Sequence, residues 1–172
     1  MNNTTIQSFT TLLLERYGQT PLLAQLLPFS MDCQKGSILM RWQTRYVRKL
    51  LMPVKVFNLH TQQLEDALAL WDTGSATSAI DISTASRFGL PTVAKTRYGT
   101  MYSRNKYDAD IYSLTMRYPD DTVSVFDVTG VFLEGFDILL GMDQISKGNL
   151  SIKTTNEGTI LEMQFNDELS LF

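Results

Sequence analysis

Ala67-Leu68-Ala69-Leu70-Trp71-Asp72-Thr73-Gly74-Ser75 is the stretch on which the reading of this chain turns. Its apolar run, Ala67 to Trp71, has the form of a short strand that lies in a sheet interior and delivers its last residue to a site. The residue delivered is a carboxylic acid, followed at once by a hydroxyl, a glycine and a second hydroxyl. A carboxylate beside buried apolar side chains must be paired, hydrogen-bonded or held protonated, so Asp72 occupies a costly place.

Around that stretch the chain has 172 residues, enough for one full domain with a hydrophobic core and an appendage. A hydrophobic share of 44% and a charged share of 19% favour neither disorder nor a membrane protein, and a net charge of -3 argues against general nucleic-acid binding. Residues 1–18 lack a basic leader with an apolar core and a small-residue cleavage site, and no apolar run approaches spanning length, so a cytoplasmic protein is expected. Cys33 and His60 are the sole cysteine and histidine, which removes intrachain disulfides and leaves no His/Cys metal set, so neither metal nor cofactor is expected. Both are read as structural, with a Ser/His triad open only through His60 and a Cys33/His60 dyad only by coincidence of folding.

Upstream, Ile6, Phe9, Leu13 and Tyr17 recur at helical spacing, and Thr20-Pro21 opens a second short helix carrying Leu22, Leu23, Leu26 and Leu27 up to Pro28. This pair reads as packing on the following domain, with a dimer arm, a substrate-gripping element or a pro-segment as sharper readings. Lys35, Arg41, Arg45, Arg48, Lys49 and Lys55 then form an acid-free basic region, read as a solvated face. Ile38, Met40 and Trp42 alternate on one strand face, Val54, Val56 and Leu59 suggest another strand, and His60 to Glu65 reads as a turn.

Downstream, Ile80 to Phe88 is expected to be a helix capped by Ser83 or Asp81 and stopped by Gly89. Val93–Tyr102 and Tyr107–Tyr118 are strand-like runs around the polar tip Ser103-Arg104-Asn105-Lys106, a long hairpin. Val123 to Phe132 continues as strand. Phe136 to Gly141 is a second buried strand, ending in a glycine where another backbone can come close. Asp143 then caps one helical turn, and Leu150 to Phe165 finishes as a hairpin.

The order strand, Asp72-Thr73-Gly74-Ser75, helix, hairpin, strand, Ile138-Leu139-Leu140-Gly141 and helical turn resembles the retropepsin-like aspartic proteases. Gly141-Met142-Asp143 and Gly148-Asn149-Leu150 are similar to the tail of bacterial members, and the resemblance runs from about Pro53 to Phe165. It implies a mainly β fold, a single-lobe closed β-barrel with one or two short helices, covering residues 51–172 behind an N-terminal helical segment, 1–50. It also implies a homodimer acting on polypeptide, with neither nucleic acid nor membrane as partner.

The family's chemistry needs two carboxyl groups in opposite protonation states at one site, one activating water and one protonating the scissile carbonyl. This chain supplies one such motif, so the resemblance implies that Asp72 is catalytic and contributed once by each subunit. By the same carry-over, Thr73 bonds the partner's loop, Gly74 admits substrate, Ser75 supports the carboxylate, and Ile138, Leu139, Leu140 and Gly141 floor the loop. Tyr102, Ser103, Arg104, Asn105 and Lys106 stand where the flap closes on substrate. The flap departs from the glycine-rich tips of retroviral members, since Gly99 is its one glycine. A protease-like dimer that binds peptide without cutting it is therefore the alternative. Two other readings of Asp72 are a turn acid bonding local amides and part of a phosphate-cradling loop, Asp72-x-Gly74-Ser75-x-Thr77-Ser78.

Overall fold

The computed structural model describes residues 29–45, 47–99 and 106–166. The two expected N-terminal helices and the flap tip residues Tyr102, Ser103, Arg104 and Asn105 lie outside them. The described strands are β1 (Phe29–Gln34), β2 (Ser37–Trp42), β3 (Leu51–Asn58), β4 (Gln63–Trp71), β5 (Ala79–Asp81), β6 (Thr92–Gly99), β7 (Lys106–Arg117), β8 (Val123–Val131), β9 (Ile138–Leu140), β10 (Gly148–Thr154) and β11 (Thr159–Phe165). Two short helices are described, α1 (Ile82–Arg87) and α2 (Met142–Ile145). Among the described residues no helix is long and apolar enough to cross a membrane.

The chain divides into two compact units. One holds an antiparallel sheet in the order β1-β2-β11-β10. The alternation read at Ile38, Met40 and Trp42 is present: all three are buried, and Met163, Leu161 and Thr159 stand opposite them on β11. Burying side chains of this size stabilises by roughly 1.5–3 kcal/mol each, which is why this short sheet holds together. At the turn before β11, a Cβ on Gly158 would come within 1.9 Å of the Trp42 carbonyl oxygen, so no other residue fits. Asp120 is buried in the same unit and accepts from Gly36 N and from Thr122 through both amide and hydroxyl.

The other unit is a barrel. Its strands run β3-β4-β9-β5-β8-β7-β6, and β3 also pairs with β7 through Lys55 and Val56, which closes a ring of six strands with β6 outside it. Leu68, Ala69, Val56, Leu114, Met116, Ile138 and Leu140 are all buried. At the inner end of β4, which pairs with β3 and β9, Ala67, Leu68, Ala69 and Trp71 are buried and Leu70 is partly covered, in keeping with its apolar sequence.

Some boundaries differ from the sequence reading for local reasons. β4 begins at Gln63, since Asn58 accepts from the amides of His60 and Thr61 and Gln62 adopts φ 58°, which turns the chain early. The polar residues Gln63 and Asp66 therefore pair with β3 on an exposed part of the hairpin, and Leu59 sits in the turn, exposed. The helix begins at Ile82, two residues later than expected, because Ile80 is committed to β8 and β9 as part of β5. Phe132 lies past the end of β8 and is exposed.

Candidate active site

β4 ends at Trp71, so Asp72 leaves the sheet as the first loop residue. Trp71 is buried and its ring lies 6.2 Å from that of Tyr118, nearly parallel, which anchors the strand end by aromatic packing. β9 runs parallel to β4 with Leu140 opposite Trp71, and the Asp72 amide donates to the Leu140 carbonyl at 3.0 Å. Asp72 is thus held by the backbone of the second apolar motif.

The loop from Asp72 to Ser78 is fixed by further bonds. Gly74 N donates to Asp72 Oδ1 at 2.9 Å and Ser75 N to the Asp72 carbonyl at 3.3 Å, so the turn folds back on its own acid. Met142 N donates to Ser75 O at 2.8 Å and Asp143 N to Ala76 O at 3.3 Å. Gly141 permits this approach: a Cβ there would stand 2.7 Å from the Thr77 carbonyl, which the expectation of close backbone at this glycine anticipates.

Ile138 and Leu140 are fully buried and Leu139 is partly covered, so Ile138 to Gly141 runs beside the strand that carries Asp72 and contacts the loop from its covered side. Thr73 and Gly74 are exposed. The Ser75 hydroxyl donates to the Thr77 carbonyl at 2.8 Å, a loop-shaping bond in place of one to the carboxylate. Lys106 is exposed and pairs with Gly99 at the described end of the β6–β7 hairpin. Near that end Tyr98 and Tyr107 face each other across the strands, with ring centroids 5.6 Å apart. The neighbouring Arg97–Asp108 pair, 3.3 Å and largely exposed, contributes little.

Sequence reasoning passed over Asp137. This acid is buried, and its Oδ2 accepts from Leu68 N at 2.7 Å while its own amide donates to the Leu68 carbonyl at 2.8 Å. Side chain and backbone together bracket Leu68, which pins β9 to β4 and thereby sets Leu140 beside Asp72. Oδ1 accepts from Thr84 Oγ1 at 2.9 Å, and Arg87 lies 3.4 Å away. The signal was available: Phe136-Asp137-Ile138 places an acid against an apolar strand, the same cue that marks Asp72.

Asp81, one of the two expected caps, is the helix N-cap. Burial pushes its carboxyl up, but the Ser83 hydroxyl and the amides of Leu133, Thr84 and Ser83 outweigh that and hold it below the usual aspartate range. Asp143 lies within the first turn of α2 and accepts from the Ser78 hydroxyl at 2.8 Å, a role unlike the expected cap.

The residues set aside as nucleophiles stay aside. Burial first, then the negative charges of Asp120, Asp32 and Asp121, push the Cys33 thiol up to about 12, so it carries no thiolate at neutral pH. His60 is an exposed turn residue whose ring packs on Gly89, where a Cβ would meet it at 2.7 Å.

An acid leaves one inner strand and is braced by a second, parallel strand, inside a six-stranded closed barrel. The fold is mainly β, a closed barrel with two short helices among the described residues. A retropepsin-like aspartic protease from Rickettsia conorii is similar in structure at 18% identity, with a TM-score of 0.49 over 80% of this chain and 95% of that one. The retroviral protease-like domain of Ddi1 from Leishmania major is similar at 17% identity, with a TM-score of 0.42 over 72% of this chain and 98% of that one. No protein-family model matches the sequence, and no curated protein matches it.

Proposed function

We propose that the protein is a homodimeric aspartic endopeptidase acting on extended polypeptide. The observation that supports this reading is the state of Asp72: a half-buried carboxylate at a strand end, its loop braced by β9 and α2, carrying one hydrogen bond from Gly74 among the described residues. One chain offers one such acid, and peptide hydrolysis without metal or covalent intermediate takes two, so a second copy completes the site.

In that dimer one Asp72 is ionised and the other protonated, because close carboxylates do not both ionise. The ionised one removes a proton from water as the oxygen attacks the scissile carbonyl carbon. The protonated one gives its proton to the carbonyl oxygen, forming a neutral gem-diol. A proton then passes to the amide nitrogen as the C–N bond breaks, leaving acid and amine. Thr73 bonds the partner's loop, Gly74 lets the substrate backbone pass, Ser75 shapes the loop, and Ile138, Leu139, Leu140 and Gly141 floor it. Tyr102 to Lys106 form the flap, residues 51–172 the protease domain and 1–50 an accessory segment. A single free cysteine is in keeping with a cytoplasmic location.

The second reading, a peptide-holding dimer without turnover, is favoured by the flap tip, where Ser-Arg-Asn-Lys replaces glycine. Digests of unfolded polypeptide in mildly acidic buffer, compared by mass spectrometry between wild type and Asp72→Asn, separate the two. New fragments from wild type alone support proteolysis, and identical maps leave the binding module. A monomer by sedimentation at micromolar concentration removes both.

A further inference from the structure

We infer that Ser78, which is buried, and Asp143, which is partly covered, form a clamp that sets the position of the Asp72 carboxylate, which makes both of them positioning residues. This rests on the reading of Asp72 as half of a catalytic pair, though the clamp itself is a matter of geometry.

Ser78 closes the Asp72 loop at the end remote from the acid and is 1% exposed. Its hydroxyl oxygen accepts from Gly141 N at 3.1 Å, and its single proton goes to Asp143 Oδ1 at 2.8 Å. A serine hydroxyl has one proton to give, so the direction of this chain, amide to hydroxyl to carboxylate, is fixed by the donor at its start. The acceptor being a carboxylate makes the last bond charge-assisted, about twice as strong as one between neutral groups.

The clamp acts through a four-residue segment. Leu140 O takes the amide of Asp72 at the start of the loop, and Asp143 takes the hydroxyl of Ser78 at its end. Between them Met142 N and Asp143 N reach the carbonyls of Ser75 and Ala76. The loop is therefore held at both ends and in the middle by Leu140 to Asp143, and among the described residues the side-chain bonds in that set are the two of the Ser78 hydroxyl, from Gly141 N and to Asp143. Removing the Ser78 hydroxyl orphans the Gly141 amide, and removing either partner takes away the side-chain brace between Asp143 and the end of the loop that leads into β5. Coupling between two carboxyl groups falls with their separation, so a loosened loop changes how Asp72 titrates as well as how it reacts.

The test uses the full-length protein as wild type, Asp143→Ala, Asp143→Asn and Ser78→Ala. The carboxyl 13C resonance of Asp72, assigned through Asp72→Asn, is followed against pH, and kcat, KM and thermal unfolding are measured beside it. Asp143→Ala and Ser78→Ala are expected to shift the Asp72 titration and to lower kcat by about 10²-fold, the cost of an ångström-scale misplacement, with little change in KM. Asp143→Asn still accepts the serine proton and is expected to restore most of both. An Asp72 titration unchanged in Asp143→Ala and Ser78→Ala overturns the proposal even if stability falls, as does an Asp143→Asn as defective as Asp143→Ala. Should wild type cleave nothing, proteolysis is lost but the titration still decides the clamp. If Asp143→Ala fails to fold, Ser78→Ala carries the same outcomes.

Discussion

Asp72 and Asp137 both adjoin inner strands of the barrel, one just after β4 and one just before β9, and they are treated in opposite ways. Asp137 is buried and takes bonds from Leu68 N, Thr84 Oγ1 and Arg87. Asp72 is half-exposed and, among the described residues, takes one, from Gly74 N. The first acid is saturated with donors and serves as a fastener. The second is braced through its backbone, which leaves carboxylate oxygen free for chemistry. What separates a structural acid from a reactive one here is whether the side chain or the main chain is held.

Replacing each acid breaks this contrast in a different observable. Asp72→Asn is expected to lower peptide cleavage by at least about 10²–10⁴-fold, the worth of a positioned acid-base group, while urea unfolding moves by no more than about 0.5 kcal/mol. Asp137→Ala is expected to do the reverse in stability, costing roughly 3 kcal/mol in urea melts because the Leu68 amide and Thr84 hydroxyl lose their charged partner in a buried place. Gly141→Ala comes next at about 1–3 kcal/mol, since its methyl would overlap the Thr77 carbonyl, and its cleavage rate should fall with it if the loop is pushed aside.

The smallest effect belongs to Asp81, a capping acid intermediate between the two. Asp81→Ala should cost about 1 kcal/mol at pH 7. Asp81 has a folded-state pKa below its ordinary value of 3.8, so its stabilisation is complete above that value and is lost as pH falls through the folded pKa. The gap between wild type and Asp81→Ala in urea melts should therefore narrow below about pH 4. A gap that widens on acidification would contradict the assigned hydrogen bonds.

The strand that carries Asp72 was legible because β4 is covered from both sides and so reads as continuous apolar sequence from Ala67 to Trp71. The same held for Ile138 to Leu140 and for the alternation of Ile38, Met40 and Trp42. The outer half of β4 was not legible, since Gln63 and Asp66 are exposed on a hairpin, Leu64 and Glu65 are only partly covered, and the four carry no burial signal. Their strand state comes from pairing with Lys55 to Asn58. The clamp residues escaped for another reason. Ser78 and Asp143 are 65 positions apart, and nothing in a serine or a turn aspartate announces a partner that far along the chain. Asp137 was legible by the cue applied to Asp72, but an acid followed by no Thr-Gly was passed over as ordinary.

The spacing of these partners bears on synthesis as well as on structure. Leu68 meets Asp137 across 69 positions and Ser78 meets Asp143 across 65, so every bond that β9 and α2 lend to the Asp72 loop arrives late in translation. A nascent chain that has already released Asp72 from the ribosome still lacks Leu140, Gly141 and Asp143, and its loop has nothing to close against. The acid is made early and armed late.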